Sequence, residues 1–412
     1  MTLEARRPGN TGTTTVLRRP ATGIAKTRPR PAAPPAARRI EDILPELHAS
    51  LFSLFKRKDQ RQRAEQYLSC LLNTDGRKSI RNMAAHLGGP SVEQRLHHFI
   101  SSSTWDWRPM RASLASVVEQ ANPTQAWVVR SMPIPKAGEH SVGVDSGFDL
   151  RRGHFFRGQQ AFGVWAASDR LSVPINWRLY LPDAWLEDDV LRDRGSVPDD
   201  AVGETLDECA VAVALDTVRR CGSTDRPVLL AGRASATRTA MARFASAGVP
   251  VIARISSSYP MVVADPGMPN HGKGVLSAAQ ILESAKGSRR LVPGLAATSP
   301  GQPRSAFAAA VSVTFPGPRA ESRPPMLLFG EWHDPRRPPA RLWLTDLADA
   351  PISRLLRLTT LAQRVDRDFD QIGEQVGLRD YVGRSFRGWH RHVTIASAAH
   401  AAYGLSRLPA SR

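Results

Sequence analysis

The chain has 412 residues, 42% hydrophobic and 23% charged, enough for two or three domains with a sizeable core. It contains no apolar run of about 18 residues, which excludes a membrane-spanning helix as a reading. No apolar segment follows the early arginines, so no secretory signal is expected.

Lys and Arg number 56 against 38 Asp and Glu, a net charge of +18. That balance points to a polyanionic partner, nucleic acid above all. Arginine-rich usage from a GC-rich bacterial genome is the blander reading. Cys70, Cys209 and Cys221 have no paired spacing, so they read as reduced core thiols in a cytosolic protein without structural zinc.

In chain order, residues 1–40 are rich in Pro, Ala, Thr and Arg with almost no acids. They read as a disordered basic arm. Residues 41–125 read as an all-helical domain. "IEDILPELHASLFSLF" and "QRAEQYLSCLLN" carry helical apolar spacing. Ile80, Met83, Ala84 and Leu87 then form one stripe, "GGP" breaks it, and Val92, Leu96, Phe99 and Ile100 form another. Ser91 with Gln94 suggests a capping box for the second helix. The pair resembles a helix-turn-helix, with Arg77, Lys78, Arg81 and Arg95 as candidate DNA contacts. An ordinary helical hairpin with a solvated basic face is the other reading.

Near residue 126 the periodicity turns to β. "AWVVRSMPI", "HSVGVDSGF", "FFRGQQAFGVWAA" and "LSVPINWRLYLP" read as strands. A helix ("TLDECAVAVALDTVRRCG"), a strand ("RPVLLAG"), a helix ("TRTAMARFASAG") and a strand ("PVIARI") follow. This order predicts an α/β fold, a mixed sheet flanked by helices. Residues around 257–340 read as an inserted β-rich segment. "PMLLFGEWHD" and "ARLWLTDL" are further strands, and "PISRLLRLTTLAQRVDRDFDQIGEQVG" is helical. Residues 126–406 form the expected core, and 407–412 a tail.

Three long stretches carry a resemblance. "KAGEHSVGV" is similar to "KKGKHSVGV". "WRLYLPDAWLEDDVLRDRGSVPDD" matches a block of LYLP, Trp, Asp and "VP". "VGLRDYVGRSFRGWHRHVTIASAAHAAY" is similar to "LGLDHYEGRSWRGWHHHVTL". These are signatures of DDE-type insertion-sequence transposases, and the chain resembles that family over most of residues 41–406. The resemblance implies an RNase H-like catalytic core. It also implies three carboxylates that would hold two divalent ions, Mg2+ or Mn2+, for phosphodiester chemistry.

Carried over position by position, the acids are largely missing. The two Asp of the first motif fall on Arg130 and Ser131. The second falls on Gly232, beside Arg233. The third falls on Asp366, the acid retained. The family's accessory Tyr, Arg, Glu and Lys fall on Thr359, Ala362, Asp366 and Gly373, and a Glu of the C-terminal motif is Val382. No metal ligand set is expected. A rebuilt set from Glu331, His333 and Asp334, from Asp145 and Asp149, or from His390 and His392 is a weaker reading.

In "YVGRSFRGWHRH", Arg384, Arg387, Trp389, His390 and Arg391 are donors and stacking surfaces suited to phosphate and base contact. Packing of Trp389 on the core at a helix N-terminus is the alternative. The resemblance implies double-stranded DNA as partner and a nucleoid-associated cytoplasmic location, with homo-oligomers or mixed oligomers with active relatives conceivable. Two functions follow as expectations. One is an inactive, DNA-binding, transposase-derived protein, co-opted for regulation. The other is an active or recently inactivated transposase catalysing cleavage and strand transfer.

Overall fold

The computed structural model describes residues 38–149, 153–232, 237–295, 304–318, 324–334 and 336–409. The arm at 1–40 falls outside these residues except for its last positions, as does the end of the tail. Residues 37–412 form one compact unit.

Apolar stripes organise the first helices: α1 (Ile40–Phe52), α2 (Lys58–Asn73), α3 (Ile80–Leu87), α4 (Pro90–His97) and α5 (Trp107–Ala121). In α1, Ile43, Leu47 and Leu51 are buried at helical spacing. Ser79 caps α3, its hydroxyl accepting from Asn82 N, and Gly88 ends it at φ 112°, in the left-handed region open to glycine. The expected capping box of Ser91 and Gln94 is absent. Gly89 is the N-cap and Pro90 opens α4, since a proline fits the first turn, where its missing N–H is no loss. The stripe Val92, Leu96, Phe99 and Ile100 is buried as expected. It crosses from α4 into a π-helical turn, His98–Ser102.

Strand β1 (Ala126–Pro135) is buried on both faces, as its near-continuous apolar sequence requires. Strands β2 (Asp145–Asp149), β3 (His154–Ala167) and β4 (Ser172–Leu179) follow, with β3 antiparallel to β1, β2 and β4. Short helices α6 (Ala184–Glu187) and α7 (Asp189–Gly195) precede α8 (Leu206–Cys221). Then come β5 (Val228–Leu230), α9 (Thr237–Ser246) and β6 (Val251–Ile255). Strand β5 is parallel to β1, and β6 to β5. The resulting run β4-β3-β1-β5-β6, antiparallel on one side and parallel on the other, is the RNase H-like arrangement.

The segment around 257–340 does not form a body of its own. It supplies β7 (Pro260–Val263), β8 (Leu276–Ser277), α10 (Ala278–Ser284), β9 (Arg290–Leu295), β10 (Arg304–Thr314) and β11 (Met326–Trp332). Strand β12 (Arg341–Thr345) joins β11 to β6. Among the described residues, all twelve strands form one sheet.

Two helices close the chain, α11 (Ile352–Asp368) and α12 (Phe386–Ser406). Consecutive Asn176 and Trp177 on β4 point to opposite faces of the sheet. Asn176 Nδ2 donates to Thr217 Oγ1 of α8, and Trp177 Nε1 to Ser397 Oγ of α12. Helices α8 and α12 therefore cover opposite faces. Helix α12 is buried almost all round, between β4 on one side and α1, α2 and α5 on the other. Its alanines permit this approach, and a Cβ at Gly404 would lie 2.7 Å from Leu171. The helical region 41–125 thus shares one hydrophobic core with the sheet. Among the described residues, no helix is long and apolar enough to cross a membrane.

Candidate active site

The site expected from the resemblance lies where β1, the end of β5 and α11 meet. At the first acid position, the Arg130 side chain is only 8% exposed. Its Nε lies 3.2 Å from Asp366 Oδ1, and its Nη2 lies 3.7 Å from Asp370 Oδ1. Nη1 donates to Ser131 O at 3.0 Å, and the guanidinium sits 3.5 Å over the Phe369 ring. Helix α11 continues through a π-helical turn, Phe369–Gly373, which carries Phe369 and Asp370 to the same guanidinium. Sequence reasoning missed both residues, although Asp366 and Asp370 stand four apart, a spacing that places two carboxylates on one helix face.

Gly232, at the second acid position, follows β5 and is exposed. A Cβ there would meet nothing within 4 Å, so a side chain has room at this position. Arg233 lies outside the described residues. Three of the positions onto which the resemblance carries the accessory residues are packed. Thr359 is buried with its Oγ1 donating to Leu356 O, Ala362 is buried, and a Cβ at Gly373 would press on Leu378 at 3.0 Å.

These residues do not fit a pair of divalent ions. A fixed guanidinium already rests on the retained carboxylate, and hard cations require several oxygen ligands in its place. The substitute sets fare no better. Glu331 is held by His333 Nδ1 at 3.5 Å and by Arg341 at 3.8 Å. Asp334 accepts from Arg336 N. On β2, Asp149 is buried and Asp145 is exposed. His390 and His392 diverge across α12, each with its own partners. No metal-binding group of three or more ligands occurs among the described residues.

The basic residues divide sharply. Arg77, Arg81, Arg95, Arg384 and Arg387 are exposed. Lys78, Trp389, His390 and Arg391 are not, which corrects their reading as DNA contacts. Lys78 is buried, and its Nζ donates to Thr74 O. Trp389 is 1% exposed. Ser385 caps α12 by accepting from Gly388 N, and from there the helix runs directly into the core. The signal was present in the sequence: "VTIASAAHAAY" has no charged residue over eleven positions, and a helix without a polar face is an interior helix.

Each buried polar group in the "WHRH" turn of α12 has a structural partner. His390 stacks on Trp107 at 4.8 Å and 7°, with Arg111 Nη2 3.0 Å from its Nδ1. Burial first, and then the Arg111 charge, hold it well below the usual histidine range. Arg111 also donates to Thr394 Oγ1, Asn176 Oδ1 and Trp177 O, tying α5 to β4 and α12. His392 Nε2 donates to Gly377 O, so Nδ1 accepts from Tyr67 O–H, both at 2.8 Å. Burial lowers its pKa to about 4. Arg391 donates to the carbonyls of Ile100, Ser101 and Trp105.

No curated protein matches the chain. The family model described as DDE superfamily endonuclease matches residues 50–283, more than half of the length. That span runs from the first helices through the sheet strand carrying Arg130 and past Gly232, and the chain belongs to the DDE superfamily of endonucleases and transposases.

Proposed function

We propose that this is a transposase-derived protein that binds double-stranded DNA without cutting it. One observation carries the reading: the buried Arg130 guanidinium, at the position the resemblance assigns to the first acid, pairs with Asp366, at the position it assigns to the third. A single fixed positive charge supplies neither an activated water nor a Lewis acid for a leaving oxygen. An ion entering the site would have to displace a buried cation from its partners, which is costly. Family membership and the net charge of +18 support DNA as the partner. Retention as a regulator, including mixed oligomers with active relatives, belongs to the same reading.

The second reading, cleavage and strand transfer, rests on Asp366 and Asp370 facing one point from two turns of helix. One pair of experiments separates the two. Purified protein is mixed with duplex DNA from its own locus at ~50 mM salt, the permissive end of the usual range. Binding without metal, with no nicking in Mg2+ or Mn2+, is the expected result. Absence of binding removes the proposal. Metal-dependent nicking that Asp366→Ala abolishes establishes the second reading.

A further inference from the structure

A groove of about 500 Å3 runs between the N-terminal half of α2 and the outer surface of α4 and its π-helical extension. We propose that this groove seats the phosphate backbone of duplex DNA; the proposal rests on the DNA-binding reading above. Its walls are rich in donors and poor in carboxylates. Arg57, Arg63 and Arg95 line it, with His98, Gln94 and a row of hydroxyls ending at Thr104. Asp59 is the single carboxylate in the lining, and Arg57 already engages it through two contacts, 3.0 and 2.8 Å. Among the described residues, neither Arg63 nor Arg95 pairs with a carboxylate. Guanidinium, hydroxyl and amide donors in one groove are the groups that hold phosphate oxygens and sugars on a duplex.

The groove is also held still. Beneath it, Phe55, Phe99 and Trp105 pack ring to ring, with Phe99 and Trp105 stacked at 5.4 Å. Arg391 reaches out from α12 and donates to Ile100 O at 3.1 Å, Ser101 O at 3.4 Å and Trp105 O at 3.1 Å, which fixes the turn that carries the hydroxyls. Gln60 Nε2 donates to Ser103 Oγ at 3.3 Å, which leaves that hydroxyl's own proton to donate elsewhere. Donors ordered before binding lose little entropy on binding. The buried arginine of the "WHRH" motif therefore acts as a positioning residue for a surface it does not itself reach. Arg95 stands on α4, the second helix of the helix-turn-helix-like pair, so a phosphate seated here would set the register of that helix on the duplex.

The test is fluorescence anisotropy of the full chain with a labelled duplex, titrated from ~50 to ~200 mM salt. Arg63→Ala/Arg95→Ala is expected to lower the slope of log affinity against log salt by about 1.8, about 0.9 per lost phosphate contact, and to weaken binding about tenfold or more at low salt. Arg63→Gln/Arg95→Gln serves if the alanine pair fails to fold. Arg219→Ala on α8, whose side chain is 77% exposed, is expected to change neither quantity. An unchanged slope in the double variant, with the parent binding, overturns the groove and leaves the DNA reading standing. A parent that binds duplex RNA and not duplex DNA overturns the groove as a DNA seat, and a parent that binds neither removes both proposals.

Discussion

Arg130 and Asp366 stand on different elements, β1 and α11, and their side chains meet at 3.2 Å. The pair holds α11 against the sheet, with Phe369 stacked on the guanidinium and Asp370 behind it. Arg130→Ala should lower stability by about 2 kcal/mol, mostly through lost packing of a buried side chain. Asp366→Asn should cost about 1 kcal/mol, because the carboxylate is 43% exposed and its pairing is screened. In urea unfolding, the double variant should cost less than the two losses added together. Strict additivity would show that the pair is incidental.

Placing carboxylates where the resemblance puts its first two acids should create affinity for metal. Open space surrounds the point where a Cβ at Gly232 would stand, so Gly232→Asp should be tolerated. Arg130→Asp/Gly232→Asp is expected to rise in Tm by roughly 2–4 °C in saturating Mn2+. The parent is expected to show no shift. A parent that shifts equally would mean that its own residues already hold the ion.

Acid should loosen the fold through the histidines of α12. Burial lowers His392 to about 4 and His400 to about 3. Both lie below the ordinary value near 6.5, so the unfolded chain takes up protons first. Stability contributed by these groups is complete above about pH 6.5 and is lost as pH falls toward 4 and then 3. His400 Nε2 donates to Asp368 O at 3.3 Å, and among the described residues its Nδ1 has no hydrogen-bond partner. His400→Leu should therefore change stability at neutral pH by no more than about 1.5 kcal/mol and make the acid transition less steep. Unfolding followed by tryptophan fluorescence between pH 7 and 3 measures both, and a transition as steep as the parent's would contradict the assignment.

Arg391 should resist conservative replacement. Its planar fork serves three carbonyls in separate directions, which a lysine cannot match. Arg391→Lys is expected to cost about 3 kcal/mol, with carbonyls of the buried turn left unsatisfied. Amide exchange at residues 98–105 should quicken, and protection equal to the parent's would refute the role.

Burial also separates two basic residues that look equivalent in sequence. Arg384→Ala should reduce the salt slope of DNA binding by about 0.9. Lys78→Met should leave the slope unchanged and lower stability instead, because the lysine is enclosed and donates to Thr74 O. A slope change in Lys78→Met would return that residue to the DNA-facing surface.

The local elements and the family were legible in the sequence because both are encoded by short-range patterns. Ile43, Leu47 and Leu51 announce a helix by spacing alone, and the mostly apolar run of β1 announces a strand. That the resemblance places its acids on Arg130 and Gly232 was readable for the same reason, since a motif names its positions whatever the fold around them. Which way a charged residue faces was not readable. Trp389, His390 and Arg391 looked like a DNA-facing cluster, yet α12 is enclosed by the sheet and by helices more than 250 residues earlier in the chain. Lys78 and Arg77 are neighbours with the same charge, and only the packing of Gly377 and Asp380 against Lys78 buries one and leaves the other exposed. Composition, periodicity and motif determined the α/β class, the order of the main elements on either side of the 257–340 segment, and which residues stand where the resemblance places its acids. Tertiary structure alone decided that the Arg130 guanidinium meets Asp366 and that Trp389, His390 and Arg391 of the basic motif point inward while Arg384 and Arg387 stay exposed, because both depend on contacts between segments far apart in sequence.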